Sequence, residues 1–215
     1  MPDKPSAQPA SAETPPIAKS HDAYHHGDLR AALIAACREA LETTAPEAIT
    51  LKSLALRLGV SQPAPYRHFQ SRDALLAAVA ADGFVRFRET LVAARDGAPV
   101  GEQSLRTALA YLEFGRANRG VYQLMFASSL LKGSEDEALD QTATAAFDFL
   151  IAGIPREAPT EKIYPIAVWI WSTLHGLVML EAAGLTTGKI ADHVSAADVV
   201  RQMLETLSSS LPVSP

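Results

Sequence analysis

Apolar side chains recur every three to four positions along most of the chain, which is the period of an α-helix that buries one face. In the first such segment they fall at Leu29, Leu33, Ala36, Cys37, Ala40 and Leu41. Asp28 precedes this run in the place of an N-cap, and Pro46 ends the segment. The sequence shows no strand-like alternation, so the pattern predicts an all-α fold.

Residues 50–72 have the pattern of two short helices joined by a tight turn. Thr50 is a good N-cap for the first helix. The buried stripe of that helix is predicted to be Leu51, Leu54, Ala55 and Leu58. Gly59 follows its last turn, where a left-handed residue is usually needed, and Ser61 can cap a second helix over 62–69. This spacing is that of a helix-turn-helix.

The rest of the chain predicts six further helices separated by glycine or proline breaks. The first is a long helix over 72–95, capped by Ser71 and about 36 Å in length. The segment from Asn118 to Gly120 is interpreted as a break between two later helices. The remaining helices are expected over 101–118, 121–131, 134–153, 162–183 and 195–211.

Positive charge is concentrated in the helix-turn-helix of an otherwise acidic chain. The protein has 215 residues, with 19 Lys and Arg against 24 Asp and Glu, which gives a net charge of −5. Residues 50–72 contain Lys52, Arg57, Arg67 and Arg72 and no acid, so the remainder has 15 cations against 24 acids, or −9. Binding DNA phosphates explains such a patch better than a merely solvated face does.

Composition narrows the other possibilities. Cys37 is the only cysteine, which excludes an internal disulfide and a cysteine-based zinc site. Residues 1–22 hold five prolines and are expected to form a disordered arm, and His21, His25 and His26 lack the partners of a metal site. The apolar run 165–180 contains polar residues and favours a subunit interface over a membrane span. No signal peptide is recognised, so the cytoplasm is the expected location.

The helix-turn-helix resembles the signature of the TetR/AcrR family of transcriptional regulators over roughly residues 24–80. The matching positions are Gly59-Val60-Ser61, Tyr66-Arg67-His68-Phe69, Arg72 and Leu75-Leu76. A later segment, Trp171 to His175-Gly176, is similar to a Trp-x-x-x-His-Gly element in one subgroup of that family. The resemblance implies a helix-turn-helix domain over 23–72 and a helical ligand-binding and dimerisation domain over 73–212.

DNA contacts are expected from the helix-turn-helix and the start of the long helix. The predicted contact residues are Thr50, Lys52, Ser61, Gln62, Pro63, Ala64, Tyr66, Arg67, His68 and Arg72. Gln62 can pair with adenine, and Lys52 can reach guanine or a phosphate. The resemblance implies that Tyr66 and His68 hold phosphates and that Arg72 grips the DNA backbone. Phe69 is expected to be core.

Prolines are unusual in the predicted recognition helix. Pro63, like Ala64, is apolar and can pack on a thymine methyl group. Pro65 departs from the family pattern at its position. It is expected to be tolerated because it lies in about the first turn of a very short helix, and to reduce direct base readout.

The resemblance also implies a dimer and an internal cavity. The dimer would form through helices 162–183 and 195–211, so its DNA operator should be roughly palindromic. The middle helices would enclose a small-molecule inducer, with no cofactor and no metal. The candidate ligand residues are Phe114, Met125, Phe126, Phe147, Leu150, Trp171 and His175, although apolar residues at this spacing are usually just core.

Three functions follow from these patterns. The first is a repressor that leaves its operator when a small apolar ligand binds. The second is a DNA-binding regulator without such a ligand, either an activator or one controlled by a partner. The third, an enzyme that uses His175 with Glu181, has no nucleophile–base spacing, metal cluster or phosphate loop to support it, so no enzymatic activity is expected.

Overall fold

The computed structural model describes residues 28–127, 136–155 and 158–210. Within these ranges the chain forms eight α-helices and no β-strand, which confirms the all-α prediction. The helices are α1 (Leu29–Leu41), α2 (Leu51–Arg57), α3 (Arg72–Asp96), α4 (Gln103–Ala117), α5 (Arg119–Ala127), α6 (Glu137–Ala152), α7 (Thr160–Ala182) and α8 (Ala196–Ser210). The predicted arm over 1–22, both histidines at 25 and 26, and the predicted end of the helix over 121–131 lie outside the described residues.

Three predicted N-caps are confirmed. The side chains of Asp28, Thr50 and Ser71 each accept a hydrogen bond from the backbone N–H three residues further on, at 2.9, 3.0 and 3.0 Å. Ser53 completes a capping box by accepting from the N–H of Thr50 at 3.2 Å. These bonds satisfy N–H groups that the first helical turn leaves without partners, and so they fix where α1, α2 and α3 begin.

Helix α3 is the central element of the fold. It packs against α1, α4, α5 and α6, and residues 75–81 are buried on every side of the helix. One apolar core extends from Leu33 in α1 to Leu207 in α8. With 25 residues, α3 is about 37 Å long. It therefore runs from the helix-turn-helix into the middle of the C-terminal helices.

Gly120 is a contact point and not a helix break. The predicted break reduces to Asn118, because α5 begins at Arg119 and includes Gly120 in its first turn. A Cβ atom at Gly120 would lie 2.0 Å from the carbonyl oxygen of Leu41, at the end of α1. The glycine is needed because the backbones of α1 and α5 approach too closely for any side chain.

Helix α7 is apolar on nearly every side. By length and composition alone it is the one helix of the described chain that is able to cross a membrane, which is weak evidence for a span. Ala167, Leu174 and Val178 are buried against the body of the protein. The opposite side leaves Trp169 at 41% and Leu180 at 45% exposed in the single protomer. In the single protomer these apolar side chains have no covering surface.

Candidate nucleic-acid interface and internal cavity

The turn after α2 has the geometry that the sequence predicts. Gly59 has a φ of +67°, the left-handed conformation that glycine adopts without strain. Its N–H donates to Leu56 at 3.2 Å, and the N–H of Val60 donates to Ala55 at 3.0 Å. These two bonds form a Schellman motif, which ends α2 and reverses the chain toward the next element.

The recognition element is a 3₁₀ turn over Pro65–Arg67, so the prediction of an α-helix over Gln62–Phe69 is wrong. The two prolines, Pro63 and Pro65, remove backbone donors from what would be the first helical turn. The turn starts after Ala64 without a side-chain cap, so the predicted Ser61 cap does not form. The result is a shorter and tighter element than an α-helix.

This turn exposes polar side chains around a buried anchor. Pro65 and Phe69 are buried, which confirms the prediction that Phe69 belongs to the core. The guanidinium of Arg30 lies 5.3 Å from the centre of the Phe69 ring. Half-buried Ala64 is the least accessible of the predicted contact residues on the turn. The exposed ones are Ser61, Gln62, Pro63, Tyr66, Arg67 and His68.

The four cations of residues 50–72 differ in their partners. Arg57 pairs with Glu39 at 2.5 Å, and Arg72 pairs with Asp73 at 2.9 Å. Within the described ranges, no ion pair involves Lys52 or Arg67, and both side chains are exposed. Thr50 is exposed as well, but its hydroxyl is already engaged in the cap of α2. Lys52 and Arg67 are therefore the two cations with the most freedom to bind a phosphate.

A cavity of about 1150 Å³ lies between α3, α4, α5, α6, α7 and α8. Its wall is mostly aliphatic and aromatic. Five of the seven predicted ligand residues line it, namely Met125, Phe126, Phe147, Leu150 and Trp171. Phe114 does not, because its ring is buried against Phe87 at 5.1 Å. His175 does not line it either and lies behind the wall. Ligand binding by these side chains stays a prediction.

A chain of polar groups connects the cavity wall to α7. The hydroxyls of Tyr111 and Tyr122 are 2.9 Å apart, and the Tyr122 hydroxyl is 2.8 Å from Nδ1 of His175. Burial raises the pKa of Tyr111 to about 12 and raises the pKa of Tyr122 further, so both phenols stay protonated at neutral pH. Burial lowers the pKa of His175, so its imidazole is neutral. The chain is thus an uncharged network with satisfied members.

We expect the protein to lose stability as pH falls below about 6.5. The pKa of His175 is lower in the folded state than in the unfolded chain. The contribution of His175 to the free energy of unfolding is therefore fully present above the pKa that it has in the unfolded chain. This contribution is lost as pH falls toward its pKa in the folded state, because the unfolded chain binds the proton first. Thermal unfolding of His175→Gln between about pH 7 and 5 should show a shallower decline of Tm. The exposed His193 provides the control variant His193→Gln, which should keep the parent slope, and identical slopes for all three proteins would contradict the prediction.

Arg95 and Tyr111 are among the residues of the cavity wall that sequence reasoning missed. A signal for Arg95 exists in the sequence. It follows Phe84, Phe87 and Leu91 at spacings of eleven, eight and four, so all four positions share one face of α3. A charged residue at a helix end is usually solvated, and for that reason it did not stand out.

The residues of the enzyme hypothesis have separate partners. His175 contacts Tyr122, whereas Glu181 accepts two hydrogen bonds from Arg116 at 2.7 and 2.8 Å. Among residues 28–127, 136–155 and 158–210, no group of three or more His, Cys, Asp or Glu side chains is placed to hold a metal. The arrangement of His175 and Glu181 is that of structural contacts between α4, α5 and α7.

Comparison with known proteins identifies the same two regions. Residues 33–79 match the family model "Bacterial regulatory proteins, tetR family", and residues 105–207 match "Tetracyclin repressor-like, C-terminal domain". An uncharacterised helix-turn-helix transcriptional regulator of Mycobacterium tuberculosis is 27% identical over 159 residues, which are 72% of this chain and 71% of that protein.

Solved structures have the same fold. A protein of unknown function from Rhodococcus sp. RHA1 superposes with a TM-score of 0.74 at 28% identity, covering 88% of this chain and 98% of its own. A TetR variant from Acinetobacter baumannii AYE in complex with minocycline superposes with a TM-score of 0.57 at 22% identity. The superposition covers 84% of this chain and 97% of the TetR variant. With both family models matched along one chain, the protein belongs to the TetR family of DNA-binding transcriptional regulators.

Proposed function

We propose that the protein is a homodimeric repressor that binds a roughly palindromic DNA operator and is released from it by a small apolar ligand. The observation that supports this most strongly is that one helix, α3, extends from the exposed 3₁₀ turn to the cavity. Helix α3 begins at Arg72, beside the exposed 3₁₀ turn, and its residues Phe84, Phe87 and Leu91 line the cavity. A ligand that prefers one tilt of α3 would change the position of the DNA-binding turn.

Exposed polar residues at the turn suit both kinds of DNA contact. Gln62 and Arg67 can reach base edges, and Tyr66, His68 and Lys52 can bind phosphates. Because the element is a 3₁₀ turn, few side chains point into one groove at once. We expect phosphate contacts to supply most of the affinity and base contacts to distinguish few positions. A regulator that works on the chromosome of a bacterium resides in the cytoplasm.

The dimer would form through α7 and α8. On α7 the exposed apolar side chains Trp169 and Leu180 are eleven residues apart, which is about three helical turns, so they share one face. Beside them an open groove between α7 and α8 is lined by Trp169 and Val199, among others. A second copy of the chain would cover this surface and place two DNA-binding turns on one face of the duplex, about 34–36 Å apart.

Gly176→Leu is expected to weaken the dimer at least about tenfold while leaving the protomer folded. In the protomer, no atom lies within 4 Å of where a Cβ at Gly176 would be. Leucine also favours a helix more than glycine does, by about 1 kcal/mol. The added side chain would therefore meet only the partner, along the face that Trp169 and Leu180 share with Gly176. Sedimentation velocity across a dilution series measures the effect.

The control is Ala93→Leu, which adds a similar side chain at an exposed position of α3. It should leave the dimer dissociation constant unchanged. A Gly176→Leu protein that dimerises as tightly as the parent would show that α7 does not cross its partner near this residue.

Selection of bound duplexes from a random DNA pool tests the proposal as a whole. A palindromic site with a steep salt dependence is the expected result, and this site then becomes the probe in a screen for releasing ligands. A single half-site would contradict the dimeric mode of binding. Operator binding that no cavity ligand changes would instead favour the regulator without a small-molecule ligand.

A further inference from the structure

We propose that the cavity takes an amphipathic anion, with an apolar body about 12 Å long and a carboxylate-like oxyanion head bound by Arg95. The inference rests on the proposed function and refines its small apolar ligand into one that has an apolar body and an anionic head group. It depends on the charges that the wall presents, on the free donors of one guanidinium, and on the separation of polar and apolar ends.

The wall carries charge of one sign. Among the described residues that line the cavity, Arg95 is the single charged side chain, and neither Asp nor Glu is present. A cationic ligand would therefore lose its hydration without gaining a counter-charge, which is costly in an apolar site. An anionic head group would find a partner already in place.

Arg95 is held in an orientation that leaves donors free. Its Nε donates to Asp96 at 2.9 Å, and its guanidinium lies 4.8 Å from the centre of the Phe149 ring. Within the described chain, the two terminal nitrogens make no hydrogen bond, so they can form a fork for two oxygens. The Asp96 side chain is 59% exposed and is bound at Nε, so it leaves the two terminal nitrogens of Arg95 to a ligand.

The polar and apolar ends of the cavity lie apart along α3 and α4. Arg95 is in the last turn of α3, and Gln103 and Ser104 begin α4 after a short connection. Phe87 precedes Arg95 by eight residues on α3, and Tyr111 follows Gln103 by eight residues on α4. Eight residues of a helix span about 12 Å, so both rings lie about that far from the polar end. These aromatic rings contact each other at 5.0 Å.

At the aromatic end of the cavity, no buried polar side-chain atom of the described residues needs a hydrogen bond from the ligand. The Tyr111 hydroxyl already bonds to Tyr122, and every buried polar side-chain atom of the described residues has a partner. Apolar contact is therefore the main interaction available there, whereas Arg95, Gln103 and Ser104 offer hydrogen bonds at the other end. At about 1150 Å³ the cavity exceeds the usual range of about 300–1000 Å³, so it has room for an extended chain or a fused ring system.

Calorimetry on the full-length protein with three ten-carbon probes tests the head group. Decanoate, decanol and decylammonium share a tail and differ in charge. The two ions are used below their critical micelle concentrations and decanol below its solubility limit. We expect decanoate to bind at least about tenfold more tightly than the other two. Arg95→Gln should abolish this preference, while Arg95→Lys, which keeps the charge but not the fork, should still favour decanoate over decylammonium.

Arg88→Gln is the matched control, because it removes a cation from the exposed face of the same helix. It should leave all three affinities unchanged. Equal binding of the three probes would overturn the anionic head group and leave the proposed repressor function intact. Decanoate bound with the expected preference but without effect on operator affinity would support the ligand class and overturn the release mechanism. Failure of every probe to bind would overturn the inference.

Discussion

Lys52→Ala combined with Tyr66→Ala should weaken operator binding about a thousandfold. Both side chains are exposed, Lys52 on α2 and Tyr66 on the 3₁₀ turn. In a dimer the double variant removes four DNA contacts, two from each protomer. At about 1 kcal/mol for each contact, the loss is about 4 kcal/mol. Titration of the selected duplex by fluorescence anisotropy measures it directly.

The salt dependence separates the two contributions. Each phosphate that a cation neutralises adds about 0.9 to the slope of log affinity against log salt. Lys52→Ala alone should therefore reduce the magnitude of that slope by about 1.8 in a dimer. Tyr66→Ala should lower affinity with a nearly unchanged slope, because a tyrosine hydroxyl carries no charge.

Arg57→Ala is the control for this experiment. Arg57 is a cation of the same helix, but its guanidinium is paired with Glu39. Its removal should change operator affinity by no more than about threefold, since surface ion pairs of this kind contribute little. If the double variant binds as tightly as Arg57→Ala does, the proposed DNA surface is wrong.

Local signals in the sequence specified the ends of the N-terminal helices. Asp28, Thr50 and Ser71 are caps because their short side chains reach a backbone N–H three residues away, a contact that needs no tertiary information. The left-handed Gly59 follows in the same way from local backbone sterics. The recognition element was harder to predict. The first turn of a helix accepts either Pro63 or Pro65 alone, but the two prolines together remove too many backbone donors for an α-helix to form.

Features that depend on tertiary packing could not be predicted from local sequence signals. Phe114 and Phe126 both show helical apolar spacing, yet one packs into the core behind the wall and the other lines the cavity. The sequence places each on a buried face but does not say whether that face meets a neighbour or an empty space. Gly120 illustrates the same limit, because a glycine that breaks a helix and a glycine that permits close packing look alike in sequence.

Gly120→Ala is expected to destabilise the protein by about 2 kcal/mol and to lower operator affinity without touching DNA. The new Cβ would lie 2.0 Å from the Leu41 carbonyl oxygen and 2.4 Å from its carbonyl carbon. Since these are backbone atoms, α1 and α5 must move apart, and the helix preference of alanine, about 1 kcal/mol, offsets only part of the cost. Denaturant unfolding monitored by circular dichroism measures the loss of stability.

The effect on DNA binding follows from where this contact lies. Gly120 meets the end of α1, and the adjacent Arg119 donates to the carbonyl oxygen of Ala182 at the end of α7 at 2.6 Å. The start of α5 thus connects the helix-turn-helix to the helix that lines the cavity and presents the apolar face. Displacing α1 at this point should lower operator affinity about tenfold at temperatures where the variant remains folded.

Gly101→Ala is the matched control, because no atom lies within 4 Å of its Cβ position and it is distant in sequence from the contact between α1 and α5. It should be as stable as the parent or slightly more so. A Gly120→Ala protein with parental stability would show that α1 and α5 can separate at no cost. Lost stability with unchanged operator affinity would show instead that the contact supports the fold but does not position the DNA-binding turn.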